Sequence, residues 1–375
     1  MEALINILTI SIPMIALAWL LPERWQMLPI VMATTFFLAW ISPLSLAILT
    51  FTTLSSYYTI KLYPSLTTAT LIVIIQVTAI FLFFKLEYGL EYSILKHSIL
   101  PLGLSYYAFR QIHYAIEAYK KQLPEHKITD YISYLFFLPT ILIGPINRFQ
   151  PFLKHLQRRR WDTTLFSLGL ERILYGMVKI TVIGNWLFVF KLNNFIFSIQ
   201  ADHPWLADYL QVVKFVGNAY VQFAGYSDVA IGLSMLLGFK ITENFNYPFI
   251  AANIADFWRR WHISLSEWCR DYVFYPFLGM TRNAIISIVM SMLVLGAWHE
   301  ISVRFLVWGG MHAIAISIWH KYEGSILHQK LSQFPYLQKG LGIFITIHFV
   351  MLSFVLIKED SLRESIDLYK RLFFI

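Results

Sequence analysis

Apolar residues along this chain gather into long runs separated by short polar breaks, and the run lengths set the expected elements. Crossing a hydrocarbon layer of about 30 Å takes roughly 20 helical residues. Runs near that length extend from Leu4 to Leu21 and from Thr68 to Leu86. Others extend from Leu28 to Ile41, Leu44 to Leu62, Ile128 to Ile146, Ser167 to Phe190, Ala284 to Trp298, Arg304 to Trp319 and Gly340 to Ile357. The pattern predicts an all-α chain of about 9–11 spans. Two regions interrupt it. "LPLGLSYYAFRQIHYAIEAYKK" at 100–121 carries Arg110 and His113 three apart in an aromatic segment. From about Ala224 to Gly279, a small-residue helix bearing Asp228 gives way to the polar, Pro-containing "TENFNYPF". Such backbone is tolerated at membrane depth only where protein or a water-filled cavity satisfies it. A re-entrant or interfacial segment is therefore expected there.

Composition excludes a water-soluble domain: 57% of the 375 residues are hydrophobic, 14% are charged, and the mean hydropathy is +0.58. Too little polar surface remains to cover a soluble fold, so the chain reads as a polytopic helical membrane protein. No linker, low-complexity tract or solenoid repeat is visible, and one membrane domain over 1–375 is expected. The first run has Glu2 in place of a basic leader and no small-residue cleavage site, so it reads as a retained span. The excess of 30 Lys+Arg over 22 Asp+Glu is topological, with no nucleic-acid signature, because the basic residues cluster in short loops. "RFQPFLKHLQRRR" at 148–160 is placed in the cytoplasm, and 191–208, with one lysine and two aspartates, outside. The single cysteine, Cys269, permits no intramolecular disulfide and no cysteine-based metal site, and is expected to pack.

The densest charge lies in "NIADFWRRWHISLSEWCRDY", residues 253–272. At 100° per residue, Trp258, Trp261, Leu265, Trp268 and Tyr272 share an arc of roughly 80°. Asp256, Arg259, His262, Ser266 and Arg270 lie on a separate polar arc, which predicts one amphipathic helix. Two readings stay open. Either the helix lies at the interface with tryptophans at headgroup level, or its polar arc lines a passage, as ionisable groups in membrane interiors usually do. For the arginines, pairing with Asp256, Glu267 and Asp271 at three- or four-residue spacing is the structural alternative.

A second intrusion is "MLVLGAWHEISVRF" at 292–305, followed by "WGGMH". His299, Glu300, Arg304 and His312 converge on two adjoining helices, although a lone histidine at a helix end is commonly a boundary residue. His299, His312 and His320 have no recognised metal-ligand spacing. Asp228 and Tyr226 are read either as acceptor contacts or as residues holding the re-entrant segment.

"QFAGYSDVAIG", "ENFNYPF", "FWRRWHISLSEWCRDYVFYPFLG", "GAWH" and "WGGMH", in that order, resemble the membrane-bound O-acyltransferase family. The likeness is closest to its bacterial branch, whose members act in alginate O-acetylation and in D-alanyl transfer to teichoic acid. It is strongest over about 100–320. The resemblance implies helices around a central tunnel in the bacterial inner membrane, and transfer of an acyl group, acetyl first, from a cytoplasmic thioester to an extracytoplasmic hydroxyl. It implies His299 as the active-site histidine and His262 as its polar partner. The donor is acetyl-CoA or an acyl carrier's phosphopantetheine, used as co-substrate, with no tightly bound cofactor and no metal. A separate periplasmic acetyl-handling or polymer-modifying protein is the expected partner, since no globular domain large enough to bind a polymer is seen. Ala297 and Glu300, flanking the Trp298–His299 pair, depart from the leucine and glycine common in that branch.

The chemistry suits these residues. A neutral imidazole removes the proton of an attacking hydroxyl near pH 7; His299 is the expected base, with Glu300 orienting it. Oxyanion donors are expected from His262, Arg259 or a backbone N–H. Arg259, Arg270 and Ser266, with Arg260, are expected to hold the donor's phosphates. D-alanyl transfer is the alternative acyl chemistry. A non-enzymatic transporter is the alternative class, but paired interrupted helices in matching halves are not found.

Overall fold

The computed structural model describes residues 2–63, 65–89 and 101–374. It is 81% helical, with no strand among the described residues, which is the all-α class expected. In chain order the first helices are α1 (Glu2–Leu20), α2 (Leu28–Ile41), α3 (Pro43–Leu62), α4 (Leu66–Gly89), α5 (Leu104–Tyr119), α6 (Ile128–Leu135), α7 (Phe149–Gln157) and α8 (Thr163–Val178). A π-helical stretch, Lys179–Leu192, joins α8 to α9 (Asn193–Ile199), and α10 (Pro204–Leu236) follows. The remainder are α11 (Ile254–Arg260), α12 (Ile263–Cys269), α13 (Tyr275–Thr281), α14 (Ala284–His299), α15 (Val303–Glu323), α16 (Ile326–Leu331), α17 (Pro335–Ser353), α18 (Val355–Lys358) and α19 (Leu362–Phe373). By length and composition Leu66–Leu86, Thr163–Ile199 and Pro335–Lys358 can cross a membrane, and Leu4–Leu20 and Ala284–His299 are shorter apolar helices. Large apolar side chains such as Ile12, Phe51, Ile75, Leu174 and Phe344 are more than half exposed. An apolar exterior of that breadth is what hydrocarbon solvates and water does not.

The chain folds as two compact units. The first comprises Met1–Tyr175 with Tyr226–Thr242. Its centre explains why the apolar run Ile128–Ile146 is not the span expected. Helix α6 stops at Leu135, and the chain then turns irregularly to Phe149. Arg110 of α5, fully buried, supplies the donors this backbone needs: its Nη2 lies 2.6 Å from the Thr140 carbonyl and from Thr140 Oγ1, and its Nη1 lies 3.3 Å from the Tyr134 carbonyl. His113 Nε2 accepts from the Phe149 amide at 2.9 Å. A buried carbonyl without a donor costs about 1–3 kcal/mol, so both residues marked in the sequence hold an irregular segment. Leu100, the first residue of that sequence segment, lies outside the described residues. Arg159 of the basic loop is also structural: it sits 4.0 Å over the Trp19 ring, gives Nε to the Leu237 carbonyl at 2.6 Å and bonds Gln26 Oε1. Burial lowers its pKa to about 10, which keeps it charged at neutral pH.

Asp228 lies within the continuous helix α10, in the helix expected for it. It is buried and paired with Arg172 of α8 at 2.6 Å. The helices touch backbone to backbone there, since a Cβ on Gly232 would stand 2.6 Å from the Gly169 carbonyl. Small residues at such crossings substitute for apolar bulk. The stretch 191–208, expected as a loop, is helical apart from 200–203.

The second unit comprises Gly176–Gly225 with Glu243–Ile375. Its dominant packing is α14 on α15, joined by Glu300–Ser302. Cβ atoms placed on Gly296 and Gly309 would each stand 2.5 Å from a carbonyl of the facing helix, at Phe305 and Met292. The two backbones are therefore in contact one turn before His299.

Candidate active site

The stretch 253–272 is not one helix. Helix α11 ends at Arg260, Trp261 is extended, and His262 adopts the left-handed conformation (φ 44°, ψ 53°) before α12 begins. For a residue other than glycine this costs about 1–2 kcal/mol, and the polar passage upstream offsets it. The Asn246 amide donates to the Arg260 carbonyl at 2.9 Å, and the Ile263 amide to the Asn244 carbonyl at 2.9 Å. Phe245 and Trp261 form an isolated antiparallel bridge. "ENFNYPF" thus supplies the partners that the broken helix lacks. The tryptophans expected at headgroup level are in the core: Trp258, Trp261 and Trp268 are each under 9% exposed.

The break delivers His262 into the interior, 1% exposed, with Phe223 at 4.7 Å and Trp298 at 5.9 Å between ring centroids. Its protonation follows from the hydrogen bonds around it. Asn244 Oδ1 receives the Ser264 amide at 3.4 Å, so it is the carbonyl oxygen of that side chain. Ser264 Oγ lies 2.9 Å from the same oxygen, and His262 Nδ1 3.1 Å. A carbonyl cannot donate, so Nδ1 carries the proton. Nε2 is then a bare lone pair, buried and without a partner. Neutral His262 therefore has no N–H for an oxyanion, which corrects the donor role expected for it; it is an acceptor.

His299 ends α14 and is exposed. Its ring stands 4.6 Å from Trp298 and 5.7 Å from Trp308, so the Trp298 indole touches both His299 and His262. The two imidazoles are near enough for their charges to interact. Glu300, expected to orient His299, binds Arg304, whose Nη2 is 3.1 Å from each carboxylate oxygen. His312 stands apart: Trp258 Nε1 donates to its Nδ1 at 3.2 Å, and its Nε2 gives its proton to Ser353 Oγ at 2.9 Å. Ser353 in turn donates to the Val350 carbonyl, so His312 is a satisfied core residue. Among the described residues no cluster of three metal-ligating side chains exists.

Residues 52–356, which include both histidines and Asn244, match the family model for membrane-bound O-acyltransferases. The chain belongs to that family. A probable alginate O-acetylase of Pseudomonas aeruginosa is 31% identical over 293 residues, which is 76% of this chain and 54% of the relative. The teichoic acid D-alanyltransferase of Bacillus subtilis is 32% identical over 274 residues, 68% of this chain and 67% of the relative. The peptidoglycan O-acetyltransferase of Helicobacter pylori is 28% identical over 305 residues, 73% of this chain and 57% of the relative. The chain spans about half the length of the alginate relatives it matches.

The other residues expected to hold the donor flank the helix break, Arg259 and Arg260 before it and Ser266 and Arg270 after it. Arg259 is 69% exposed and 3.6 Å from Asp256, while Arg260 is held by Asp256 at 2.9 Å and by the Asn246 carbonyl. Arg270 is half exposed and 3.0 Å from Asp271. Ser266 gives its hydroxyl to the Trp261 carbonyl at 3.1 Å, which caps the break. Cys269 is buried. Asn244, Phe223 and Trp298 were missed as site residues. The one available signal was an asparagine inside the only polar, Pro-containing passage of that region.

Proposed function

We propose that this chain is an O-acyltransferase of the bacterial inner membrane. It moves an acetyl group from a cytoplasmic thioester, acetyl-CoA or an acyl carrier's phosphopantetheine, to an extracytoplasmic hydroxyl on a polysaccharide or on a partner protein. The observation that carries this reading is the pair of imidazoles on one indole, one accessible and one sealed in with a bare nitrogen. The hydroxyl oxygen bonds to the thioester carbon, the C–S bond breaks, and the hydroxyl proton passes through an imidazole to the departing thiolate. His299 is the base, because it is open to substrate. His262 is a second acceptor: since the reacting hydroxyl's one proton goes to His299, its Nε2 takes a hydrogen bond from another donor on the substrate and holds the reactants in line, a positioning effect of the kind that lowers barriers strongly. D-alanyl transfer is the second reading, favoured by the even coverage of the Bacillus subtilis relative.

Sealed inside-out membrane vesicles given acetyl-CoA labelled in its acetyl group are expected to form alkali-labile labelled ester, and right-side-out vesicles none. This follows if the basic 148–160 loop faces the cytoplasm. Ester formed equally by both preparations reverses the sidedness. Label that crosses without forming ester favours a transporter, and transfer only from a D-alanyl carrier selects the second reading.

In the same assay Arg259→Ala and Arg270→Ala are each expected to raise the donor's KM roughly 3- to 10-fold with kcat little changed. Both guanidiniums are exposed and their carboxylate pairs are of the weak surface kind, so they can turn to a phosphate at small cost. Unchanged donor dependence in both variants would leave them as helix-surface ion pairs.

A further inference from the structure

Away from the histidines, the second unit holds a cavity of about 850 Å³, large for a ligand site. His262, Trp298 and His299 do not line it. Its walls are two helix stripes: Met311, Ile314, Ile318 and Tyr322 on α15, and Leu341, Ile345 and Phe349 on α17. The α15 stripe is about 16 Å long at 1.5 Å per residue. Ile314, Ile318 and Ile345 are each more than 60% exposed, so the slot opens sideways on the apolar exterior. Its inner end is closed by Ala252–Ile254, where α17 approaches so closely that a Cβ on Gly342 would strike the Ala252 carbonyl.

The other end, at the α15–α16–α17 connection, is polar, with His328, Gln338 and Lys339 at the rim. Lys339 is exposed and makes no ion pair or hydrogen bond among the described residues. The His328 imidazole has ring contacts only, with Trp319 and Tyr322. Lys321 and Lys330 flank this end, and the neighbouring carboxylate, Glu323, lies 3.8 Å from His320. An apolar slot with a cationic rim has the shape and charge of an anionic amphiphile. A partner helix would match the slot but would leave the lysine without a counter-charge and the imidazole without a hydrogen-bond partner, whereas a phosphate satisfies both.

We infer that this slot holds an acyl chain of an anionic phospholipid, with the headgroup phosphate at Lys339 and His328. The site is separate from the acyl-transfer residues and does not depend on the reading of their chemistry.

Native mass spectrometry of the full chain in detergent with equal amounts of phosphatidylglycerol and phosphatidylethanolamine tests it. One phosphatidylglycerol is expected to be retained in preference. Lys339→Glu, at an exposed position that leaves the fold intact, should lower that retention roughly tenfold without changing the phosphatidylethanolamine signal. Ala315→Trp, which fills the slot, should remove both lipids. Equal retention of the two lipids, or retention indifferent to both substitutions, overturns the assignment. So does a dimer that forms in lipid-free detergent and is dissociated by Ala315→Trp, because a second copy would then be the occupant.

Discussion

His299→Ala is expected to cut acyl transfer by about 10²–10⁴-fold, the contribution of a positioned base, while the protein still inserts and melts near the wild-type temperature. The two halves of that expectation have separate grounds. The side chain is exposed at the last residue of α14, where its ring packs on Trp298, Phe305 and Trp308. Exposed substitutions of this kind usually stay within about 0.5 kcal/mol. The close approach of α14 and α15 at Gly296 and Gly309 does not involve the imidazole, so the pedestal survives its loss. Ester product near the wild-type amount in membranes containing only the variant would take His299 out of the chemistry.

Asn244→Leu should lower kcat by roughly 10²-fold, with the donor's KM little changed; this is less than the roughly 10⁴-fold lost when the catalytic base itself is in the wrong tautomer, because His262 positions and does not take the proton. Leucine fills the same space but cannot accept from His262 Nδ1 or from the Ser264 amide. The imidazole is then released to the other tautomer, and Nε2 no longer offers a lone pair to the substrate. Asn244→Asp keeps an acceptor at that position and should recover most of the loss. The pair separates positioning from simple damage: a leucine variant that melts like wild type and is inactive, rescued by aspartate, supports the tautomer argument. If activity in both variants merely tracks melting temperature, Asn244 is only part of the frame.

What the sequence disclosed depended on how local the cause was. Leu28–Ile41 was bounded to the residue because Ser42 and Pro43 stop an unbroken apolar run. Helix α10 went unread over most of its 33 residues because Lys214, Asn218, Gln222, Ser227 and Asp228 dilute its hydropathy. It tolerates them because Gly217, Gly225 and Gly232 lay its backbone against protein, where apolar bulk has no room. The wheel through 253–272 failed for a remote reason, since residues 244–246 supply the hydrogen bonds that make a break at Trp261–His262 tolerable. His262 and His299 were legible from motif order. Asn244 was not, because its part lies in which nitrogen of another residue keeps a proton, and that is fixed only when three side chains meet.

The discontinuity of the first unit also bears on how the chain is made. Phe239 stacks on Phe152 and meets Phe137 edge to face, Trp19 donates to the Leu236 carbonyl, and Arg159 donates to the Leu237 carbonyl. Residues 1–175 therefore wait, with these partners missing, while 176–242 are synthesised. At about 5–20 residues per second the delay is on the order of 3 to 13 seconds. For that interval the Arg159 guanidinium has Gln26 and Ala18 but not the Leu237 carbonyl, and the Trp19 indole lacks its acceptor, so the ribosome's pace over α9 and α10 determines how long the nascent half stays exposed to chaperones and proteases.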